Sequence, residues 1–388
     1  MSPRVFLHVG SPKTGTTFLQ NVLWSQRRLA AQQGVFLPMN RFMDHYFAAL
    51  DLREVSDKPH QPARAVGMWD RMVNQTKGRS DTVLISHELF APATAEQAER
   101  AVTSWGPDAE VHVVLTARDL ARQITAEWQE HVKHRSTATF PDFVRSLRED
   151  SEREGPRTTW FWQVQDFADV LERWGSTLPP ERVHVVTVPP AGGATTLLWE
   201  RFAGLLGLDP APFDLEQGRS NSSLSLDAAE VLRRVNAELG DRLPLPGPYP
   251  RVVKNVLAHQ VMATHPGVPV RLGAEDAAFA RAESEAMAER LAASGFDVVG
   301  DLAELVPPES AVPHTEYAEP TAEALLGESV SVIADLLVVL NERIQRDDLL
   351  RDARANPVRF ALSQSANRSQ MLDKARRGYR RVRGWRHS

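Results

Sequence analysis

The chain has no cysteine, so a disulfide framework, a thiolate-ligated zinc and a cysteine nucleophile are all excluded. It also lacks any long apolar run. The N-terminal stretch Val5–Val9 has five residues and no small-residue cleavage pattern after it, so it reads as a core strand rather than a secretory leader, and a cytoplasmic protein is expected. The longest later run, Val330 to Leu340, contains Asp335 and falls short of the roughly 20 residues a bilayer span needs. Nor is there a surplus of positive charge. With 45 Lys and Arg against 50 Asp and Glu the net charge is −5, so the basic bias of a nucleic-acid-bound protein is missing and any cationic site must be local.

The remaining composition is that of a globular chain: 388 residues, 42% hydrophobic, with only 22 Gly and 26 Pro, enough for one large domain and additions. Short β-rich runs at 5–9, 35–37, 82–86, 111–116 and 183–188 alternate with stretches of helical spacing at 17–33, 96–105 and 160–174. That alternation predicts an α/β fold, a central parallel sheet flanked by helices in three layers. Beyond residue 190 no further strand is expected, and 196–206, 225–239 and 274–293 read as helices. Prolines at 244, 246, 248 and 250 mark a loop. A Pro-rich segment at 306–321 is the expected linker between a domain at 1–305 and a helical extension at 322–388. The extension opens with an amphipathic helix over 322–346. Its end carries Arg368, Lys374, Arg376, Arg377, Arg380, Arg381, Arg383 and Arg386 against Asp373 alone, which is either a solvated terminus or a patch for anionic lipid or an acidic partner, with Tyr379 and Trp385 beside it.

The chemistry concentrates at the end of the first strand. Gly10-Ser11-Pro12-Lys13-Thr14-Gly15-Thr16-Thr17 lies between a strand and a helix, where free amides and the positive helix end make an anion seat. Gly10 and Gly15 have the Walker A spacing, but Thr16 stands where the lysine belongs and the lysine is at position 13. No Walker B aspartate follows the third strand, so the Mg²⁺ set of a nucleoside-triphosphate enzyme is incomplete.

This segment resembles the 5′-phosphosulfate loop, P-K-[ST]-G-T-T, of sulfotransferases that use 3′-phosphoadenosine 5′-phosphosulfate (PAPS). The resemblance implies a P-loop-like fold. It further implies that Pro12, Lys13, Thr14, Gly15, Thr16 and Thr17 form the loop, with Lys13 on the oxygen bridging phosphate and sulfate and the amides and hydroxyls of residues 14–17 on the 5′-phosphate. A cation there stabilises the departing phosphate, and no metal is required. The strand running into Arg118, followed by a helix, resembles the family's 3′-phosphate segment; Leu120 replaces the usual proline and the hydroxyl, Thr125, comes one residue early. Gly218-Arg219-Ser220-Asn221-Ser222-Ser223 resembles the short loop of bacterial members. Arg219, Asn221 and Ser222 would then contact the nucleotide, while Ser223 or Ser225 serves equally as a plain helix N-cap.

An acceptor hydroxyl must lose a proton as it attacks sulfur, and His87 and Glu88 follow the strand at 82–86, at the sheet edge where ligands bind. The family's glutamate pattern favours Glu88, with His87 the alternative. The expected reaction carries the sulfuryl group from PAPS to a hydroxyl or amine of a small-molecule, carbohydrate or glycolipid acceptor, leaving adenosine 3′,5′-bisphosphate. A P-loop kinase and a non-catalytic nucleotide-binding relative are the alternatives. Residues 41–77 and 131–162 are the expected acceptor loops. Glu127, Glu130, His131 and His134 lack the H-E-x-x-H order of a zinc helix, and the aromatic group Trp160, Phe161, Trp162 and Phe167 reads as core.

Overall fold

The computed structural model describes residues 3–58, 61–194, 196–218, 223–308 and 316–355. Arg219, Asn221, Ser222 and the basic stretch after Asn367 lie outside the described residues. The chain divides into two compact units, Met1–Leu325 and Leu326–Ser388.

The first unit follows a strand–helix rhythm. Strand β1 (Arg4–Gly10) leads through the lysine-bearing loop into α1 (Thr16–Ser25) and α2 (Arg27–Gln32), then β2 (Val35–Phe36), α3 (Met43–Leu52) and α4 (Met68–Thr76). Next come β3 (Thr82–Ser86), α5 (Ala95–Thr103), β4 (Glu110–Ala117) and α6 (Leu120–Lys133). Helices α7 (Phe140–Glu152), α8 (Trp160–Gln165) and α9 (Phe167–Gly175) precede β5 (Val183–Thr187). The path closes with α10 (Leu197–Leu206), α11 (Leu226–Leu239), a π-helix at Pro250–Val261, α12 (Ala274–Ser294) and β6 (Asp297–Val299). Helix α13 (Ala322–Ala355) accounts for all the described residues of the second unit. Among the described residues, no helix is long and apolar enough to cross a membrane.

All six strands are parallel, in the order β2-β3-β1-β4-β5-β6. This is the expected α/β architecture of P-loop-like type. Val5 stands opposite Val83 of β3 and Val111 of β4, so the apolar residues of the three central strands share layers. Both faces are covered, which is why the strands read as continuous apolar runs rather than alternating ones. One face buries Phe6, Leu84, Val114 and Val186 against Leu19, Leu23, Trp199 and Phe202 of α1 and α10. On the aromatic segment, Phe161, Trp162 and Phe167 are core, while Trp160 is half-buried beneath the Arg53 guanidinium.

Three expectations are corrected. The helix expected over 17–33 breaks at Gln26, whose side-chain amide pairs with the backbone of Asp214 instead of continuing the surface. The helix over 160–174 breaks at Asp166, which caps α9 through the Asp169 amide and pairs with Arg290 and Arg157. A sixth strand, β6, exists beyond residue 190. Its three residues are too few to show a pattern, and its place is set by pairing with β5, where Asp297 Oδ2 meets His184 Nδ1 at 2.7 Å.

In this order the crossovers leave β1 toward β3 and β2, and leave β4 toward β5 and β6. The carboxyl ends of β1 and β4 therefore flank the topological switch point, the crevice in which open α/β sheets bind ligands.

Candidate active site

The loop after β1 is braced from within. Ser11 Oγ donates to the Val164 carbonyl at 2.7 Å, and Thr14 Oγ1 to the Ser11 carbonyl at 2.6 Å while lying against Thr116 Oγ1. The Pro12 carbonyl accepts from Gln123 Nε2 at 2.8 Å and from Gln165 Nε2 at 3.1 Å. The Thr14 hydroxyl is thus committed to the loop's own scaffold. What the loop can offer an anion is the start of α1 and the lysine. Gly15, at φ +88°, is the N-cap of α1 and has no side chain to cap the first amides; a Cβ there would stand 2.5 Å from Leu198 Cδ2. The Thr16 side chain is buried and that of Thr17 exposed.

Lys13 itself sits at φ +62°, an uncommon conformation for a residue with a side chain. Its ammonium lies 2.5 Å from Glu130 Oε2, on the penultimate turn of α6. The other oxygen of Glu130 takes Lys254 Nζ at 2.6 Å and His134 Nε2 at 3.1 Å. Burial opposes ionisation of Glu130, but His134, Lys13 and Lys254 outweigh it and hold its carboxyl far below the usual carboxylate range. One turn earlier, Glu127 has the opposite fate. Burial, reinforced by the Glu130 charge, pushes it up to about 7 against the pull of Lys13 and a hydrogen bond from Gln165. Two carboxylates of one helix face are thereby separated in protonation by their surroundings alone.

At the end of β4, the Arg118 guanidinium is largely withdrawn from water. Nε donates to Gln123 Oε1 at 2.7 Å and Nη2 to the Arg122 carbonyl at 3.0 Å. Among the described residues, Nη1 makes no hydrogen bond, and the buried donor left without a partner beside it is Nη2 of Arg122. Asp119, the neighbouring carboxylate, is spent elsewhere: it caps α6 through the Arg122 amide at 3.0 Å and pairs with the Arg122 side chain. Burial draws Arg118 down to about 10, with Arg122 adding to the effect, so it stays charged at neutral pH. Thr125 Oγ1 reaches the same Arg122 carbonyl at 3.1 Å, which brings Arg118 and Thr125 side by side.

His87 and Glu88 follow β3. His87 Nδ1 accepts from the Leu89 amide at 3.1 Å, capping a short 3-10 turn, and stands 4.0 Å from Glu88 Oε2. Burial lowers His87 despite the Glu88 charge. For Glu88 burial acts upward, but His87 and the Gln20 amide, at 3.4 Å, leave it below the usual carboxylate range. Gly10, at φ +138°, lets this segment approach: a Cβ there would lie 3.2 Å from Ala91 Cβ and 3.5 Å from the Glu88 carbonyl. From Glu88 a hydrogen-bonded chain runs inward through Gln20 and Ser86 Oγ to His8 Nδ1, at 2.7 Å, and on to Thr116, which donates to the Gly10 carbonyl at 2.9 Å.

Around Arg219, Asn221 and Ser222, the flanking residues are anchored: Gly218 packs on Phe18 and Val22 of α1, and the Leu224 amide donates to Gln129 Oε1 of α6 at 2.8 Å. The N-cap of α11 is Ser225, through the Ala228 amide. Glu130, Glu127, Lys133, Lys254, Gln123 and Gln165 are site residues that the sequence did not single out as such. Glu127 and Glu130 showed only as helical spacing, and Lys254 had no signal, because the π-helix bearing it follows a proline-rich stretch read as loop. Among the described residues, no group of three or more His, Asp or Glu side chains is arranged to hold a metal.

No protein-family profile matches the chain, and no curated protein matches it. Among solved structures, the crystal structure of a sulfotransferase from Alicyclobacillus acidocaldarius aligns at 17% identity and a TM-score of 0.37, over 63% of this chain and 98% of its own.

Proposed function

We propose that this chain is a sulfotransferase that moves a sulfuryl group from PAPS to a hydroxyl or amine of an acceptor. The observation that carries the reading is a pair of cationic seats at the carboxyl ends of adjacent strands: Lys13 with the uncapped start of α1 after β1, and the carboxylate-free Arg118 after β4. A nucleotide with phosphate groups at both its 5′ and 3′ positions fits that pair, and the unpartnered Nη1 of Arg118 is a donor waiting for an oxyanion.

In this reading PAPS supplies the activated sulfuryl group. The amides of residues 14–17 hold the 5′-phosphate, and Arg118 with Thr125, joined by Arg219, Asn221 and Ser222, holds the 3′-phosphate. The acceptor oxygen forms its bond to sulfur on the side opposite the bridging oxygen; the sulfur–oxygen bond to the 5′-phosphate breaks, and its electron pair goes to that phosphate. Lys13 turns from Glu130 to the bridging oxygen and stabilises the charge developing there, while Lys254 stays as the counter-ion of Glu130. Glu88, ionised at neutral pH and backed by Gln20, takes the acceptor proton, with His87 adjoining it.

Calorimetric titration with adenosine 3′,5′-bisphosphate, AMP, and ATP with Mg²⁺ tests the reading. Binding confined to the 3′-phosphorylated nucleotide, and sulfuryl transfer from PAPS without added metal, are expected. Preference for ATP with Mg²⁺ would replace it with a kinase.

A further inference from the structure

Helix α6 sets an order along the site. It starts beside Arg118, and its 14 residues cover about 20 Å. Glu130, where Lys13 is held, lies near its far end, and Lys133 closes it one turn beyond. If the nucleotide spans from Arg118 to Lys13, then Lys133 stands past the sulfuryl group, on the acceptor's side.

Lys133 is unusual in its surroundings. Its side chain is buried at 6% exposure, yet among the described residues its ammonium has no hydrogen bond and no ion pair. Its nitrogen is absent from the buried atoms that lack a partner, so the stem is covered while the ammonium tip stays within reach of a ligand. Lys13, Lys254 and His259 stand close enough to act on it or be acted on by it, and Glu130 is the carboxylate that opposes them. That single ionised carboxylate already serves Lys13, Lys254 and His134. Glu127, pushed up to about 7 by burial, adds only about half a charge at neutral pH. Three ammonium groups thus face one full carboxylate. Burial, with the repulsion of Lys13 and Lys254, draws Lys133 down to about 8, and His259 is lowered to about 4 by burial and by Lys133, Lys254 and Lys13. The cluster has a surplus of donors and positive charge.

We infer that Lys133 and Lys254 form an oxyanion subsite for the acceptor, so that the preferred acceptor carries a carboxylate, phosphate or sulfate group near the oxygen or nitrogen that receives the sulfuryl group. This rests on the sulfotransferase reading for the direction in which the acceptor lies. The occupant's negative charge completes the coordination of Lys133 and offsets the excess that Glu130 leaves. An uncharged acceptor would form no charge-assisted contact with that ammonium, and the lost contact works as discrimination.

Inorganic sulfate is the probe. It is titrated calorimetrically into the full-length protein saturated with PAPS, whose own sulfuryl group fills the donor's seat, and separately into the nucleotide-free protein, for wild type, Lys133→Met and Lys254→Gln. Both substitutions remove charge with little change of volume, and thermal melting checks that each variant folds. Sulfate should bind the PAPS-loaded wild type, and each substitution should weaken it by about tenfold or more while adenosine 3′,5′-bisphosphate affinity stays within about threefold. Sulfate binding that PAPS abolishes would assign the lysines to the donor's sulfuryl group and overturn the inference, as would sulfate binding indifferent to both substitutions. A wild type that binds neither nucleotide would sink the sulfotransferase reading and, with it, the assignment of the subsite to an acceptor; sulfate binding that depends on Lys133 would then show an anion site of other purpose.

Discussion

The Lys13 ammonium and the Glu130 carboxylate, 117 positions apart in the chain, meet at 2.5 Å across the mouth of the β1–β4 crevice. Glu130 holds the lysine of the anion loop in place while sharing its second oxygen with Lys254. Lys13→Met should lower kcat by about two to three orders of magnitude, the scale of losing one transition-state donor. The affinity for adenosine 3′,5′-bisphosphate should change only a few-fold. Loss confined to KM would mean that Lys13 binds substrate without stabilising charge in the transition state.

Removing the other partner leaves two ammonium groups without their anion. Both side chains are partly solvated, so Glu130→Gln should cost about 1–3 kcal/mol, less than a fully buried pair. Chemical denaturation measures this, and a double-mutant cycle with Lys13→Met should recover part of the loss. An unchanged unfolding midpoint would show that the Lys13–Glu130 contact contributes nothing to the fold.

Arg118 has a carboxylate neighbour, but Asp119 is engaged with Arg122. Arg118→Ala should therefore weaken adenosine 3′,5′-bisphosphate by roughly one to two orders of magnitude, the value of a charged hydrogen-bonded contact, and leave AMP unaffected. Equal losses for both nucleotides would place Arg118 away from the 3′-phosphate.

Glu88 and Glu127 make opposite predictions for the pH profile. Glu88 lies below the ordinary carboxylate range and Glu127 at about 7. With Glu88 as base, kcat should show no acid limb near pH 7, and Glu88→Gln should lose about two to four orders of magnitude in rate. A limb near 7 that disappears in Glu127→Gln would transfer the role to Glu127.

His8 and His45 are fully buried and lowered to about 4, chiefly by burial. Both are bonded as neutral rings: His8 Nδ1 to Ser86 Oγ, and His45 between the Pro38 carbonyl at 3.1 Å and the Ser86 amide at 3.0 Å. Because the folded values lie under the unfolded one, the unfolded chain binds more protons between pH 6.5 and 4. Their contribution is whole above pH 6.5 and is lost as pH falls toward 4, up to about 3 kcal/mol for each ring. Thermal melting across that window should show the drop, and His45→Gln should flatten it. An equally steep dependence in that variant would place the acid sensitivity elsewhere.

The strands β1, β3, β4 and β5 were legible because a parallel sheet covered on both faces demands short, continuous apolar runs. The phosphate loop was legible because its residues are contiguous. Helix breaks at Gln26 and Asp166 were not, since each depends on a partner distant in the chain: the Asp214 backbone in one case, Arg290 in the other. β6 escaped notice for the same reason, three residues whose conformation is set by β5.

By itself the sequence determined the elements whose signals are local: the periodicity of the sheet, the Pro12–Thr17 loop between strand and helix, the arginine after β4, and the pair His87–Glu88 at a strand end. Only the tertiary structure decided what those groups face. Strand order placed Lys13 and Arg118 on the two sides of one crevice, and the folding of α6 and the π-helix against the loop brought Glu130, Lys133 and Lys254 to the lysine. Charge interactions depend on distance through space and on burial, and neither quantity is written in the spacing of residues along a chain.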